Sequence, residues 1–165
     1  MQMNSSKSIS IYLTSKDSEC RLKNISEKEI SVESNVELKT IRVNTHRPRQ
    51  RILGFGGAFT EASASIYDQL DSNKKSEIIE AYFGESGNQY NMGRTHINSC
   101  DFSLGNYALC ETEDRDLSDF SIQRDKRMLI PFIKAALEMA STPIYLMASP
   151  WSPPPWMKTN NQMNH

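Results

Sequence analysis

The amino-acid sequence predicts an α/β fold with parallel strands, and three observations lead there. After residue 45 the apolar pattern runs strand, helices, strand, long loop, helix, strand. That order is what parallel sheets joined by crossover helices produce. Before residue 45 the chain reads instead as β-structure with one wet face. The composition is that of an ordered globular chain: 38% of the 165 residues are hydrophobic and 24% charged, which excludes a disordered or collagen-like protein. Two regions are therefore expected, a β segment over 1–45 and an α/β region over 46–165.

Each element has its own reason. Residues 8–13 alternate polar and apolar side chains, the period of a half-buried strand. Residues 21–35 are polar and weakly patterned. Val36 and Leu38 alternate with Glu37 and Lys39, and Ile41 and Val43 alternate one residue out of phase, so a bulge or break is expected near Thr40. Residues 51–60 are apolar and rich in small side chains, and read as a buried strand ending in a tight, glycine-lined turn. Thr60 is placed to cap a helix running to Leu70, and Ser72 to cap a second one running to Phe83. In the second, Ile78, Ile79, Tyr82 and Phe83 share a face. Residues 90–97 are the next strand. The polar segment 99–121 is long for a loop, and loops of that length tend to be functional. A helix follows over about 122–140, with Leu129, Ile130, Ile133, Ala136, Leu137 and Ala140 as its apolar stripe. Lys126 on the stripe and Pro131 in the interior favour a start nearer residue 130. Residues 144–148 form a short apolar run, a buried strand by length.

Charge and cysteine content narrow the function classes. Lys+Arg 19 against Asp+Glu 20 gives a net charge of -1. With no basic block, a dedicated nucleic-acid binder is disfavoured. No apolar run approaches the roughly 18 residues of a membrane span, and residues 1–8 lack the apolar core of a secretory signal. Cys20, Cys100 and Cys110 form neither a disulfide framework nor a metal pair. A Cys100–Cys110 bridge would close a short loop, but free thiols are the preferred reading.

In parallel α/β folds chemistry sits at the C-terminal ends of strands, here residues 56–60, 97–102 and 149–156. At the first end, Gly54-Phe-Gly-Gly57 fails as a dinucleotide fingerprint because the sixth position is Phe59, and no phosphate-loop lysine follows. Close backbone approach is the better reading. Glu61, at a helix N-terminus, reads as dipole-stabilised and structural before catalytic. At the second end, Arg94, His96 and Asn98 share a face. Asp101 beside Phe102 suits a polyol, a carboxylate for hydroxyls and a ring for the apolar sugar face; equally, Asp101 caps a turn. His96 reads as a hydrogen-bonded histidine before a metal ligand, since no second ligand stands at useful spacing. Arg94 requires a partner if buried. At the third end, Ser149-Pro-Trp-Ser-Pro-Pro-Pro-Trp-Met-Lys158 puts Trp151 and Trp156 on a proline-stiffened loop. This suits a carbohydrate platform; a polyproline ligand is the competing view.

These segments resemble glycoside hydrolase family 30. The motifs are Gly54-Phe-Gly-Gly-Ala-Phe-Thr-Glu-Ala, Tyr90-Asn-Met-Gly-Arg, Ser99-Cys-Asp-Phe-Ser103 and Ala148-Ser-Pro-Trp-Ser-Pro-Pro-Pro-Trp-Met-Lys-Thr159, in that order. The branch they are most similar to is that of the glucosylceramidases. The resemblance implies the N-terminal part of a (β/α)8 TIM barrel, preceded by a β segment of a side β-sandwich. It implies retaining hydrolysis of a β-glucoside or glycolipid, with no metal or organic cofactor and an extracellular or lysosomal setting. By the same resemblance Asp101, Trp151 and Phe102 bind the sugar, while Arg94 and Trp156 support the site. Retention needs two carboxyl groups roughly 5–5.5 Å apart. The family's two glutamates stand on barrel strands four and seven and match nothing here, so they are expected beyond His165. Glu111, Glu113 and Asp114 read as a solvated cluster and not as substitutes. A barrel needs about 250 residues, and three of its eight strands are expected in this chain. The alternatives are a β-1,6-glucanase or β-xylosidase/fucosidase of the same family and, from another class, a non-catalytic carbohydrate-binding module.

Overall fold

A computed structural model describes residues 10–26 and 43–164. The chain divides into two compact units, Met1–Arg49 and Gln50–His165.

In the first unit, β1 (Tyr12–Leu13) pairs antiparallel with β2 (Lys23–Asn24). Of the strand expected over 8–13, the described ladder holds only these two residues. Its partner comes from the polar stretch in which no strand was expected. Two-residue strands carry no measurable alternation, so their pairing is set by the loop between them. Arg21 gathers that loop by donating to the carbonyls of Ser15, Ser18 and Cys20 at 2.8, 2.9 and 3.0 Å. The expected alternation through Val36, Leu38 and Ile41, with its break near Thr40, lies outside the described residues.

The second unit is built on a three-stranded parallel sheet of β3 (Gly56–Phe59), β4 (Met92–Ile97) and β5 (Tyr145–Pro150), in that order. Between β3 and β4 lie α1 (Glu61–Gln69) and α2 (Ser72–Phe83), and between β4 and β5 lies α3 (Leu129–Met139). This is the parallel α/β order that the sequence predicts.

Helix starts follow local chemistry. Thr60 Oγ1 accepts from the Ser63 N–H while Ser63 Oγ accepts from the Thr60 N–H, a capping box with serine at the third position. For α2 the expected cap is corrected by one residue. Asp71, not Ser72, accepts from the Lys74 N–H at 2.9 Å. Aspartate and serine are near-equal caps, so a neighbouring pair leaves the choice to the backbone. Asp71 has the extended conformation a cap needs. In α3 the start falls at Leu129, and residues 123–128 form turns. Pro131 thus sits in the first turn, where its missing N–H has no intrahelical partner to lose.

The core is a cluster of Phe59, Ala64, Ile79, Phe83, Leu129, Ile133 and Ala136. Phe59 is its hub, stacked on Phe83 at 5.7 Å and edge-on to Phe132 at 5.3 Å. Burial of each large side chain is worth about 1.5–3 kcal/mol. Gly93 makes room for that hub: a Cβ there would lie 2.6 Å from the Phe59 ring. No described glycine has a positive φ; Gly54, Gly56, Gly84, Gly87 and Gly93 leave no room for a Cβ, while Gly57 and Gly105 have open space there.

Two expected buried strands are not buried. Gly56, Gly57 and Ala58 of β3 are exposed and only Phe59 is covered. Ile52, Leu53 and Phe55 before it are exposed and lie outside the strand. In β5, Tyr145, Leu146 and Met147 are exposed. Leu137 of α3, expected on the apolar stripe, and Tyr82 of α2 are also largely exposed. For Ala58 and Met147 the reason is that helices cover one face of the sheet, the one carrying Phe59. Alternation puts Ala58, Arg94 and Met147, which are in register, on the opposite face. No described element of this unit covers that face.

Candidate functional site

The C-terminal ends of β3, β4 and β5 converge on one edge, and the loop after β4 is tied down there. Asn98 is the knot. It takes a left-handed conformation, φ 62°, which asparagine tolerates better than most residues. Its Nδ2 donates to Ser152 O at 2.8 Å and its Oδ1 accepts from the Leu109 N–H at 3.0 Å. One side chain therefore joins the β4 end, the long loop and the β5 end. The sequence signal for this role is weak, since Asn98 reads as one more polar residue on the Arg94 face.

Glu61 is a second anchor. It is 3% exposed and receives Arg124 through Nε at 2.7 Å and a terminal nitrogen at 3.1 Å. The Leu104 N–H adds a third bond at 2.8 Å. Burial alone would raise its carboxyl pKa, but the Arg124 hydrogen bonds and charge and the Leu104 N–H outweigh it, holding the group below its ordinary value. The structural reading of Glu61 stands on this ion pair more than on the helix dipole. Arg124 also lies over the Tyr107 ring, 4.2 Å from its centre. Tyr107 donates to Asp125 at 2.7 Å. Burial first, then that carboxylate, pushes its phenol pKa far up and keeps it a donor.

The long loop 99–121 is internally bonded. Asp114 accepts from the Asp116 and Asp119 N–H groups and from Ser118 Oγ. Glu111 accepts from the Ala108 N–H at 2.8 Å. Glu111 and Glu113 are exposed and Asp114 is half-buried, in keeping with a solvated cluster, and Glu111 and Asp114 in addition each accept from backbone N–H groups of their own loop. Asp119, not singled out from sequence, accepts from the Cys110 thiol at 2.7 Å and from Thr112. The three cysteines are free thiols.

The expected site residues fall as follows. Asp101 and Trp151 line one cleft of about 680 Å³, together with Ser99, Asn106 and Lys158. Phe102, 62% exposed, lines an adjoining cavity of about 230 Å³ that Trp151 shares with Arg94 and His96. Trp151 thus stands between the two, 41% exposed. Arg94 is exposed, and its guanidinium lies 4.8 Å from the centre of the Trp151 ring. This is a cation–π contact that needs no buried counter-charge. Trp156 lines neither cavity. Its indole N–H donates to Cys110 O at 3.1 Å, fixing the proline-rich loop against the long loop. His96 is buried. Its Nδ1 is 2.6 Å from Asn98 O and 3.4 Å from the Tyr107 hydroxyl, while Nε2 has no protein partner. Among the described residues no group of three or more His, Cys, Asp and Glu side chains could hold a metal ion. No described helix is long and apolar enough to cross a membrane.

The arrangement offers a carboxylate and a half-exposed indole on one cleft, at the strand ends where such folds carry their chemistry. Asp101 is the only acidic residue lining either cavity among those described.

Comparison with known proteins places this geometry. A family model described as the glycosyl hydrolase family 30 TIM-barrel domain matches residues 52–165. The putative glucosylceramidase 3 of Caenorhabditis elegans is 40% identical over 126 residues, which are 75% of this chain and 24% of that protein. The lysosomal acid glucosylceramidase of Mus musculus is 42% identical over 117 residues, 70% of this chain and 23% of that protein. Among solved structures, SrfJ from Salmonella typhimurium superposes with a TM-score of 0.67 at 44% identity, covering 70% of this chain and 26% of that one. The chain therefore spans about a quarter of the length of the curated relatives it matches.

Proposed function

The chain belongs to glycosyl hydrolase family 30, and from that premise we propose that it is the sugar-recognising part of a retaining β-glucosidase acting on glucosylceramide or a related β-glucoside. The observation that carries the reading is the pairing of Asp101 and Trp151 on one cleft of about 680 Å³. In this reading the Asp101 carboxylate accepts hydrogen bonds from two hydroxyls of the terminal sugar, and Trp151 supplies the flat apolar surface for its ring. Arg94, over the Trp151 ring, restricts the indole to one orientation before sugar arrives, which lowers the entropy lost on binding. Phe102 forms a wall of the adjoining cavity, and Trp156 stiffens the loop that carries Trp151.

Hydrolysis with retention requires an acid/base and a nucleophile about 5–5.5 Å apart. The described residues place one carboxylate on the cleft, and the nearby Glu61 is committed to Arg124. The two catalytic carboxylates are accordingly assigned to the full-length protein outside residues 1–165. Residues 1–45 are assigned to a β-sandwich distinct from the barrel, and the lysosomal relative supports a lysosomal-type setting.

The test is Asp101→Ala in the full-length protein, assayed on an aryl β-glucoside. Loss of two charge-assisted hydrogen bonds, each about 1.5–3 kcal/mol, lowers kcat/KM by roughly 10²–10⁴-fold. An unchanged kcat/KM in a correctly folded variant removes Asp101 from the sugar site.

A further inference from the structure

Asn24-Ile25-Ser26 has the Asn-x-Ser pattern of an N-glycan acceptor, with a residue other than proline in the middle. Acceptor asparagines stand on the surface, because the attached oligosaccharide is bulky and hydrated. Asn24 meets that requirement: it is exposed, at the end of β2. Its Oδ1 accepts from the Ser26 N–H at 2.9 Å and from Ser26 Oγ at 2.5 Å. Its Nδ2 is bonded to no described residue. The asparagine and the serine are thus already brought together, by bonds that span two residues and need no other part of the fold. A donor on Oδ1 also stabilises the charge that gathers there as Nδ2 gives up a proton. On the folded hairpin Tyr12 stands directly opposite Asn24, so the two side chains share a face. Tyr12 is 62% exposed and offers a flat apolar surface for the first sugar.

We propose that Asn24 is an N-glycosylation site, modified as the full-length protein passes through the endoplasmic reticulum. The inference rests on the lysosomal-type setting proposed above. The donor is a lipid-pyrophosphate-linked oligosaccharide, presented by a membrane transferase. Asn24 Nδ2 attacks the anomeric carbon of the first sugar. A bond forms between that carbon and Nδ2, the bond from the carbon to the pyrophosphate oxygen breaks, and its electron pair leaves with the lipid pyrophosphate. One Nδ2 proton passes to a base of the transferase, and no oxidant or reductant is consumed. A second Asn-x-Ser, Asn4-Ser5-Ser6, lies outside the described residues, and the test separates the two.

The experiment directs the full-length protein into the secretory route of animal cells with a cleavable leader and collects it from the medium. Peptide-N-glycosidase in heavy-oxygen water turns a glycosylated asparagine into a heavy aspartate, which mass spectrometry places in the sequence. The expected result is that label at Asn24 in the unchanged protein, with a downward gel shift on the same treatment. Asn24→Gln and Ser26→Ala lose the label at this position, and Ser26→Thr keeps it. A cooperative melt of each secreted variant shows it folded. Secreted, folded protein with Asn24 unlabelled overturns the inference. Label confined to Asn4, or label at Asn24 that survives Ser26→Ala, overturns it as well. The setting is read separately, by fractionating cells that make the protein without an added leader. Protein in the lysosomal or secreted fraction with Asn24 unlabelled removes this inference alone and leaves the setting. Protein in neither fraction removes the setting and the inference with it.

Discussion

Breaking the Glu61–Arg124 pair tests how the long loop is held over the strand ends. Glu61→Ala removes three hydrogen bonds, two from Arg124 and one from the Leu104 N–H. It also leaves a guanidinium and an amide without their acceptor. Removing one partner of a fully buried pair is destabilising by about 3–5 kcal/mol. The Glu61 side chain is 4% exposed but that of Arg124 is 28% exposed, so the stranded charge is partly solvated and about 3 kcal/mol is expected. With a urea m-value of about 1.5 kcal/mol/M for a protein of this size, the unfolding midpoint falls by about 2 M. Trp151 and Trp156 both sit on the loop system and report the transition by fluorescence. The sharper measurement is the double-mutant cycle with Arg124→Ala, where a coupling energy of about 2 kcal/mol is expected. A coupling below about 0.5 kcal/mol would show that the pair does not hold the loop. The pH dependence has a definite sign. The carboxyl is held below its ordinary value of 4.5 in the fold. Its contribution is therefore fully present above about pH 4.5 and is lost as pH falls through the lowered native value. Glu61→Gln should flatten that acid limb.

Two further predictions concern the same loops. The Cys110 thiol, hydrogen-bonded to the Asp119 carboxylate and shielded from water, has its pKa raised to about 11. At pH 8 it should resist iodoacetamide while Cys20 is alkylated, as read by mass spectrometry, and Asp119→Asn should speed its modification; equal rates at Cys110 and Cys20 would refute the assignment. Asn98→Ala loses two hydrogen bonds and the residue best suited to φ 62°. It should destabilise by about 3 kcal/mol, a fall in Tm of roughly 6–12 °C. Asn98→Gly should recover about 1 kcal/mol of that, and identical losses for the two variants would exclude backbone strain.

Much of the fold was legible because it rests on local chemistry. Parallel β3, β4 and β5 with helices between them follow from periodicity alone, and the Thr60 cap and the α3 start from the positions of Thr60 and Pro131. The grouping of Asp101 with Trp151 was legible as two strand ends, since parallel neighbours must end on the same edge. The hairpin of Tyr12–Leu13 and Lys23–Asn24 was not, because two residues show no period. The exposure of β5 was not either, because an apolar run states what a strand can bury and not what is there to cover it.

Sequence by itself determined the family, the parallel order and which side chains stand at the strand ends. Those are properties of residues within a few positions of one another, or of motifs in a fixed order. Only the tertiary structure decided the pairings. Glu61 meets Arg124 across 63 residues, Asn98 reaches Ser152 across 54, and Arg94 lies over Trp151. Such contacts depend on where the chain returns in space, which the pattern of neighbouring residues does not fix.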